Sequence, residues 1–332
     1  MSILNRNKIV PQMSDYDRVG DQWVPYLMRF DTPLRNFPSV STNEWGFRNS
    51  FSQDGEIVKI NDLVNTKTGI IVGSSAVFGV GSSDDRFTIP SSLNRLSETT
   101  WLNFGGRAFN STQELILFLL HMPDRIDRLV LFSGVNNITL AFLSPNTSPI
   151  YNSFFYQSVF EKAMQNPPNE YIGVRRSLAR LMIEVKNRFK INSRESAKPD
   201  IKNSYQNVLR CFKRDLRAFK ILADGLGIQL QFALQPLATW MEKQLSSEEK
   251  EIFSILDSMS MDWQILARQI KAVRDDYFVD IEQICNELSV DFYNVNLASD
   301  FLTDEWLFVD RVHLTDRGCE IAANILKREF KL

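Results

Sequence analysis

The sequence predicts an α/β fold, in which helices cover a parallel, doubly wound sheet. From residue 68 onward, short apolar segments typical of strands alternate with segments whose apolar residues recur at helical spacing. Such alternation is typical of parallel sheets, because parallel strands are joined by crossover helices. The segment Leu129–Ser133 begins with four consecutive apolar residues, which indicates a strand buried on both faces. The sequence therefore predicts a sheet with helices on both sides.

Length and composition are those of a globular domain. The chain has 332 residues, of which 44% are hydrophobic and 23% are charged. This length buries an ample core, and we expect a single domain over residues 1–332. Residues 1–60 lack a clear period but contain several aromatic side chains, so we expect an ordered arm packed on the domain. Within the arm, Trp45–Arg48 either lines a cleft or packs against the core.

Five segments have the composition of buried strands, and polar or glycine-rich residues follow the first three. In chain order they are Ile70–Val72, Thr100–Phe104, Leu129–Ser133, Ile228–Leu234 and Val290–Val295. A helix is predicted from the capping box Ser111–Glu114 through Leu120, and a closing helix is predicted from Thr315 onward. Ligands of such sheets bind outside the carboxyl ends of the strands. The residues that follow the first three strands are therefore candidates for a site.

Ninety residues, 138–227, separate the third predicted strand from the fourth, and we expect a mostly helical insertion there. Residues 175–220 contain 14 basic and 4 acidic residues, a net charge of +10. This stripe is typical either of an anion-binding or nucleic-acid surface or of the solvated face of an amphipathic helix. Leu209, Phe212, Leu216 and Phe219 recur at helical spacing among the charges and favour the helix. We expect this segment to flank the site and not to bind nucleic acid.

Two short motifs contain residues suited to nucleophilic catalysis. Gly73-Ser74-Ser75 follows the first predicted strand, where small residues allow a sharp turn that exposes a serine. Asp310 and His313 lie three residues apart, and a histidine activates a serine only when an anion fixes its tautomer. The only other histidine, His121, has no metal-ligating residues near it in the sequence. Each motif alone also fits a structure without a catalytic role: the first a glycine-rich loop, the second a polar surface turn.

Together with two further blocks, these motifs resemble the SGNH (GDSL-like) hydrolase family. The four blocks occur in the order of the family and are Gly73–Ala76, Asn103–Ser111, Gly134–Asn137 and Asp310–His313. The resemblance implies a flavodoxin-like three-layer α/β/α fold and a serine esterase. It also implies that Ser75 is the nucleophile, that His313 is the general base, and that Asp310 orients His313. No cofactor and no metal are implied.

The resemblance further implies an oxyanion hole made by the N–H groups of Ser75 and Ala108 and by the side-chain amide of Asn136. The sequence differs from the family pattern at three positions. Ser74 and Asn137 each replace an aspartate, and Ala108 replaces a glycine. Alanine has the same backbone N–H as glycine, but a left-handed conformation at this position would cost alanine about 1 kcal/mol.

We therefore expect a serine esterase that cleaves a small-molecule ester, such as an acylated sugar. Two alternatives stay open: a sugar O-acyltransferase with the same residues, and a non-catalytic binding protein with the same fold. The longest apolar run, Leu115–Leu120, is too short to span a bilayer. The first residues lack the apolar core of a signal peptide, and the three cysteines suit a reducing compartment, so we expect a cytoplasmic protein. The sequence does not indicate an oligomeric state.

Overall fold

The computed structural model describes residues 3–59, 63, 66–144, 147–165 and 201–332. The arm contains two short helices and a two-stranded antiparallel ribbon: α1 (Ile3–Ile9), α2 (Met13–Tyr16), β1 (Asp21–Gln22) and β2 (Phe30–Asp31). The domain that follows contains β3 (Thr68–Gly73), α3 (Ser75–Phe78), α4 (Ile89–Leu96), β4 (Thr100–Gly105), α5 (Ser111–His121), β5 (Arg128–Ser133), α6 (Val135–Leu143), α7 (Gln157–Gln165), α8 (Ile201–Leu226), β6 (Gln229–Leu234), α9 (Ser247–Met259), α10 (Met261–Ala272), α11 (Arg274–Glu287), β7 (Asp291–Asn294) and α12 (Asp316–Phe330).

The central sheet has the order β4-β3-β5-β6-β7, and all of its strands are parallel. The register is continuous across the centre, where Ile70 of β3 lies opposite Leu102 of β4 and Leu129 of β5. In the order of the strands along the chain, this is the 2-1-3-4-5 arrangement of flavodoxin-like folds. The predicted α/β fold with a doubly wound parallel sheet is confirmed.

Each strand of the sheet contributes side chains to two hydrophobic cores. In β3 and β5, Ile71 and Val130 point into one core, while Ile70 and Leu129 point into the other. This explains the absence of polar alternation in these strands, because both faces are covered. Helices α4, α9 and α12 contribute to the first core, and α5, α6, α8 and α11 contribute to the second. The result is the three-layer α/β/α arrangement.

Helix α8 directly precedes β6, packs on one face of the sheet and supplies many side chains of the second core. Its residues Phe212, Leu216 and Phe219 are buried against α5, α6 and the sheet, while Lys213 and Arg217 are exposed. The predicted amphipathic helix in the basic stretch is therefore present from residue 201, and it is the crossover helix between β5 and β6. The other part of that stretch, residues 175–200, lies outside the described residues.

The arm packs on the domain through both aromatic and charged side chains. Phe47 is buried in the second core, and Arg48 is buried beside the turn that follows Ser75. Trp45 remains about half exposed, with 48% of its surface accessible. Of the two interpretations of Trp45–Arg48, packing therefore describes Phe47 and Arg48.

The cap of helix α5 lies one residue earlier than the sequence predicts. The capping box of α5 is formed by Asn110 and Gln113, not by Ser111 and Glu114. Ser111 is unavailable as a cap because its hydroxyl donates to Asp215 of α8 at 2.7 Å. The local sequence pattern assigned Ser111 to the N-cap of α5, but its hydroxyl binds Asp215, which lies far away in the sequence.

Two further expectations concern membrane insertion and the cysteines. None of the described helices combines the length and hydropathy needed to cross a lipid bilayer. Cys211, Cys285 and Cys319 are all buried and unpaired, as expected for a chain without a disulfide framework.

Candidate active site

The turn that follows β3 directs Ser75 and Ser74 to different environments. Gly73 ends the strand, and a Cβ atom at this position would lie 2.2 Å from the carbonyl oxygen of Phe132 in β5. Only glycine therefore allows the two strands to approach here. The hydroxyl of Ser74 is fully buried and donates to Oε1 of Gln235 at 3.2 Å. Ser75 begins α3 and keeps 6% of its surface accessible.

Ser75, His313 and Asp310 form a connected series of hydrogen bonds. The hydroxyl oxygen of Ser75 lies 2.8 Å from Nε2 of His313, and Nδ1 of the same ring lies 2.7 Å from Oδ2 of Asp310. A carboxylate accepts hydrogen bonds only, so Nδ1 carries the proton and Nε2 accepts from the Ser75 hydroxyl. The side chain of His313 keeps 20% of its surface accessible. Part of the His313 side chain is therefore accessible to solvent.

The ionised form of Asp310 is stabilised locally. Burial by itself would raise the pKa of this carboxyl group, but four interactions outweigh it and leave the pKa below its usual value. They are the charge and hydrogen bond of His313 and the backbone N–H groups of Val312 and His313, which donate to Oδ1 at 2.8 Å each. Asp310 is therefore an anion at neutral pH and fixes the orientation of the imidazole ring.

The loop that contains Asp310 and His313 closes on itself. Phe308 and Leu314 form an antiparallel bridge, and the N–H of Val309 donates to the carbonyl oxygen of His313 at 2.9 Å. The loop also closes against the Ser75 turn, since a Cβ atom at Gly81 would lie 2.6 Å from the Leu314 carbonyl oxygen.

A buried ion pair supports the base of this loop. The N–H groups of Leu307 and Phe308 donate to Oε1 of Glu249 at 3.0 and 3.1 Å. Glu249 forms a salt bridge with Lys243, and both side chains are completely inaccessible to solvent. Removing one member of such a pair leaves an uncompensated buried charge. The position of His313 therefore depends on a charged group that does not touch it.

The turn after β4 holds Ala108 in a left-handed conformation, with φ of 60°. The N–H of Phe109 donates to the carbonyl oxygen of Gly106 at 3.2 Å, so Ala108 occupies the third position of a tight turn. The N–H of Gly106 donates to the carbonyl oxygen of Gly73 at 3.0 Å and joins this turn to the Ser75 turn. Within the described chain, the N–H of Ala108 has no hydrogen-bond acceptor. It is available to a ligand.

Asn136 follows β5 and is also fixed toward this turn. Its Nδ2 atom donates one hydrogen to the carbonyl oxygen of Phe109 at 2.9 Å, which leaves the second hydrogen of the amide for another acceptor. The preceding Gly134 has φ of 102° and accepts a hydrogen bond from the Tyr277 hydroxyl at 2.7 Å. The chain therefore turns sharply at the end of β5 and directs Asn136 to the same edge of the sheet as the Ser75 turn.

The other asparagines of the family blocks support the loops. The amide nitrogen of Asn103 donates to the carbonyl oxygen of Val77 at 2.9 Å, and its oxygen accepts the N–H of Gly105 at 2.9 Å. Asn137 is fully buried and fastens Ser111 at the start of α5. Both side chains connect one strand end with a neighbouring loop.

Arg48, in the arm, supports the helix that Ser75 begins. Its Nη1 atom donates to the carbonyl oxygens of Phe78 and Gly79 at 3.1 and 2.5 Å, and its Nε atom donates to Asp85 at 2.7 Å. Both carbonyls lie at the end of α3, so the arginine caps that helix. The Gly79 oxygen also accepts hydrogen bonds from the Tyr16 hydroxyl and from the N–H of Ser82. Arg48 was not among the site residues predicted from the sequence. The only local signal was a charged residue among the aromatic residues of the arm.

Arg29, also in the arm, contacts the turn that contains Ala108. Its Nη1 atom donates to the carbonyl oxygen of Arg107 at 3.0 Å, and its Nη2 atom forms a salt bridge with Asp21. The side chain of Arg107 extends back into the arm, where it pairs with Asp21 and Asp31. This arm therefore holds both strand-end turns, the one with Ser75 and the one with Ala108.

A buried carboxyl group lies behind the site. Glu114 of α5 is almost completely inaccessible and accepts a hydrogen bond from the hydroxyl of Ser133, the last residue of β5, at 2.7 Å. Burial raises its pKa to about 8, against the smaller opposing effect of the Ser133 hydrogen bond. Glu114 is therefore mostly protonated at neutral pH.

Neither histidine belongs to a cluster of metal-ligating side chains among the described residues. Across residues 3–165 and 201–332, apart from the short gaps, no group of three or more histidine, cysteine or acidic side chains is arranged to hold a metal ion. His121 packs against the rings of Trp45 and Phe47, with centroids 5.4 and 5.1 Å away. Partial burial lowers its pKa.

Comparison with solved structures found similar folds among lipolytic proteins and esterases. A member of the lipolytic protein G-D-S-L family from Veillonella parvula has a TM-score of 0.38 and 12% identity, with 80% of this chain and 98% of that chain covered. A variant of an acetyl xylan esterase from Geobacillus stearothermophilus has a TM-score of 0.41 and 12% identity, with 80% and 94% covered. An extracellular lipase from Streptomyces rimosus has a TM-score of 0.42 and 10% identity, with 79% and 99% covered.

Members of the family that the four sequence blocks resemble are thus among the structures to which this chain is similar. No family model matches the sequence, and no curated protein matches it either.

Proposed function

We propose that this chain is a serine esterase of the SGNH hydrolase type, in which Ser75 attacks the carbonyl carbon of an ester. The observation that carries the proposal is the continuous series of hydrogen bonds from Ser75 through His313 to Asp310, with 2.8 and 2.7 Å between the heavy atoms. A serine hydroxyl is a weak nucleophile until a base accepts its proton. The pair of Ser75 and His313 satisfies this requirement before substrate arrives.

In the first half of the reaction, the Ser75 oxygen bonds to the ester carbon while His313 accepts the hydroxyl proton at Nε2. The tetrahedral intermediate then collapses, the bond to the alcohol oxygen breaks, and His313 returns the proton to the leaving alcohol. Asp310 keeps the proton of the neutral ring on Nδ1 and stabilises the imidazolium that forms. Its lowered pKa supports this role.

The negative charge of the intermediate falls on the former carbonyl oxygen, and three donors are candidates to bind it. They are the N–H groups of Ser75 and Ala108 and the second hydrogen of the Asn136 amide. The bonds that fix Asn136 and the turn of Ala108 are made within the protein, so these donors need no rearrangement. Each such donor contributes about 3 kcal/mol to stabilising the transition state.

In the second half, water attacks the acyl-enzyme, with His313 again as base. If the hydroxyl of a sugar replaces this water, the same residues transfer the acyl group, as in the alternative of an acyltransferase. We propose a small ester, such as an acetylated sugar, as the substrate, since Ser75 keeps only 6% of its surface accessible. Product analysis with and without a sugar acceptor separates hydrolysis from transfer.

The decisive experiment is covalent labelling by a fluorophosphonate, followed by mapping of the modified residue. We expect labelling at Ser75 in the wild-type protein and in Ser74→Ala, and none in Ser75→Ala. Ser74→Ala is the matched control because Ser74 is adjacent but faces Gln235. Absence of labelling in the wild-type protein, together with absence of esterase activity, would favour a non-catalytic binding protein and overturn the proposal.

A further inference from the structure

The peptide group between Arg107 and Ala108 has its two polar ends in different environments. Its carbonyl oxygen accepts the hydrogen bond of Arg29 at 3.0 Å, and its N–H is the proposed oxyanion donor. In a trans peptide the C=O and N–H bonds point in opposite directions. Holding the carbonyl oxygen in the arm therefore determines where the N–H of Ala108 points.

The conformational preference of alanine favours a flip of this peptide, in which the C=O and N–H bonds exchange directions. It is the central peptide of the Gly106–Phe109 turn, and reversing it rotates φ of Ala108 by about 180°, from 60° to roughly −120°. Alanine prefers negative φ by about 1 kcal/mol or more. The reversed turn would direct the Arg107 carbonyl oxygen toward the site and remove the donor. Something other than the residue itself must oppose this reversal.

The contacts of Arg29 oppose the reversal of the Arg107–Ala108 peptide. The side chain is 8% exposed, forms a salt bridge with Asp21, and lies over the ring of Phe155, whose centroid is 5.1 Å from the guanidinium carbon. A buried guanidinium fixed in this way cannot follow the carbonyl oxygen if the peptide reverses. Reversal would leave one of its donors unpaired and would bring an N–H group to face a cation.

We propose that Arg29 is a positioning residue for the oxyanion hole, which keeps the Arg107–Ala108 peptide in the orientation that directs the Ala108 N–H to the substrate. The inference rests on the proposed esterase function. It assigns to the arm a role in transition-state stabilisation without contact with the substrate. It also explains how the chain tolerates alanine where the family pattern has glycine, because the charged hydrogen bond replaces the conformational freedom of glycine.

The test is a double-mutant cycle between Arg29 and Ala108, with a short acyl ester such as p-nitrophenyl acetate as substrate. We expect Arg29→Met to lower kcat about 10- to 100-fold, less than the loss of about 10²- to 10³-fold for complete removal of one oxyanion donor, and to leave KM within about twofold. Affinity for a trifluoromethyl ketone, which forms a tetrahedral adduct with a serine, should fall in parallel. Adding Ala108→Gly to Arg29→Met should restore kcat about tenfold, because glycine has no preference for the reversed turn.

Two further variants separate this role from a general weakening of the arm. Arg35 is another arginine of the arm, and its Nε atom donates to the Val19 carbonyl oxygen at 3.0 Å. The control variant Arg35→Met removes this bond within the arm, and its kcat should stay near that of the wild type. Arg29→Lys retains one charged donor, so its kcat should lie between those of the wild type and Arg29→Met. If Arg29→Met does not fold, the cycle with Arg29→Lys and Ala108→Gly decides.

The outcomes are distinct. An inactive wild-type protein overturns the proposed function and this inference with it. An active wild type whose Arg29 variants keep kcat within about threefold overturns the inference alone. So does a kcat loss that Ala108→Gly does not reverse, or an equal loss in Arg35→Met, because either result assigns the effect of Arg29 to stability. Thermal unfolding of every variant, measured under the assay conditions, accompanies the kinetics.

Discussion

Asn137 and Ser111 form two hydrogen bonds with each other. The oxygen of the Asn137 amide accepts the backbone N–H of Ser111 at 3.0 Å, and its nitrogen donates to the Ser111 hydroxyl at 2.7 Å. That hydroxyl has a single proton, which it donates to Asp215 at 2.7 Å. The side-chain atom of residue 137 that faces the Ser111 hydroxyl must therefore be a hydrogen-bond donor, as Nδ2 of Asn137 is. An ionised aspartate has no donor at this position.

We predict that Asn137→Asp destabilises the protein, although the family pattern has aspartate at this position. The new carboxylate would face the Ser111 oxygen without a shared proton and would lie close to the charge of Asp215. We expect a loss of about 1–3 kcal/mol in the free energy of unfolding at neutral pH, measured by urea denaturation. The double variant with Asp215→Asn should recover part of the loss. A wild-type free energy for Asn137→Asp alone would contradict this account of the network.

The proposed base predicts a sharp difference between the two histidines. His313→Ala should lower kcat for a short acyl ester at least ~10³-fold, because among the described residues His313 is the base that is hydrogen-bonded to the Ser75 hydroxyl. His121→Ala, whose ring packs on Trp45 and Phe47, should stay near wild type in kcat, with an effect on stability only. Similar losses in both variants would mean that the assay reports folding and not proton transfer.

The left-handed conformation of Ala108 predicts an unusual response to glycine. Ala218, a half-buried residue inside α8, is the control, and Ala218→Gly should cost about 1 kcal/mol of unfolding free energy. Ala108→Gly should cost clearly less or stabilise the protein, because relief at φ of 60° offsets the entropy of the unfolded chain. Chemical denaturation of the two variants in parallel measures the difference. Equal losses at both positions would contradict the conformation described for Ala108.

Glu114 predicts a pH dependence of stability. Its pKa is raised to about 8 in the folded protein from an ordinary value of 4.5. Between these values the folded state binds more protons than the unfolded state, so this group makes stability fall as pH rises. The slope reaches at most about 1.4 kcal/mol per pH unit. Glu114→Gln, which keeps an acceptor for the Ser133 hydroxyl, should flatten the decline.

The measurement is the free energy of unfolding at several pH values between about 5 and 8. Glu251→Gln, an exposed glutamate on α9, is the control and should leave the wild-type slope in place. A wild-type slope in Glu114→Gln would show that the decline has another source.

The strands and the residues that follow them could be predicted because their signals are local. Apolar runs locate β3, β4 and β5 within two residues of their ends, and parallel strands bring Ser75 and Asn136 to one edge. The contacts of Arg29 and Arg48 could not be predicted. They depend on where an aperiodic arm packs, and no period in the sequence encodes that. The capping box of α5 was misplaced for the same reason, since the partner of Ser111 lies on a distant helix.

The convergence of arm and closing segment on one edge of the sheet has a consequence for synthesis. Arg29 and Arg48 are synthesised before the strands of the sheet, whereas Asp310 and His313 are synthesised after its last strand. A nascent chain can therefore form the arm and most of the sheet, with Ser75 already in its turn, and still lack the base and its anion. If the proposed function holds, a fragment cut between β7 and Asp310 retains the serine and should have no esterase activity.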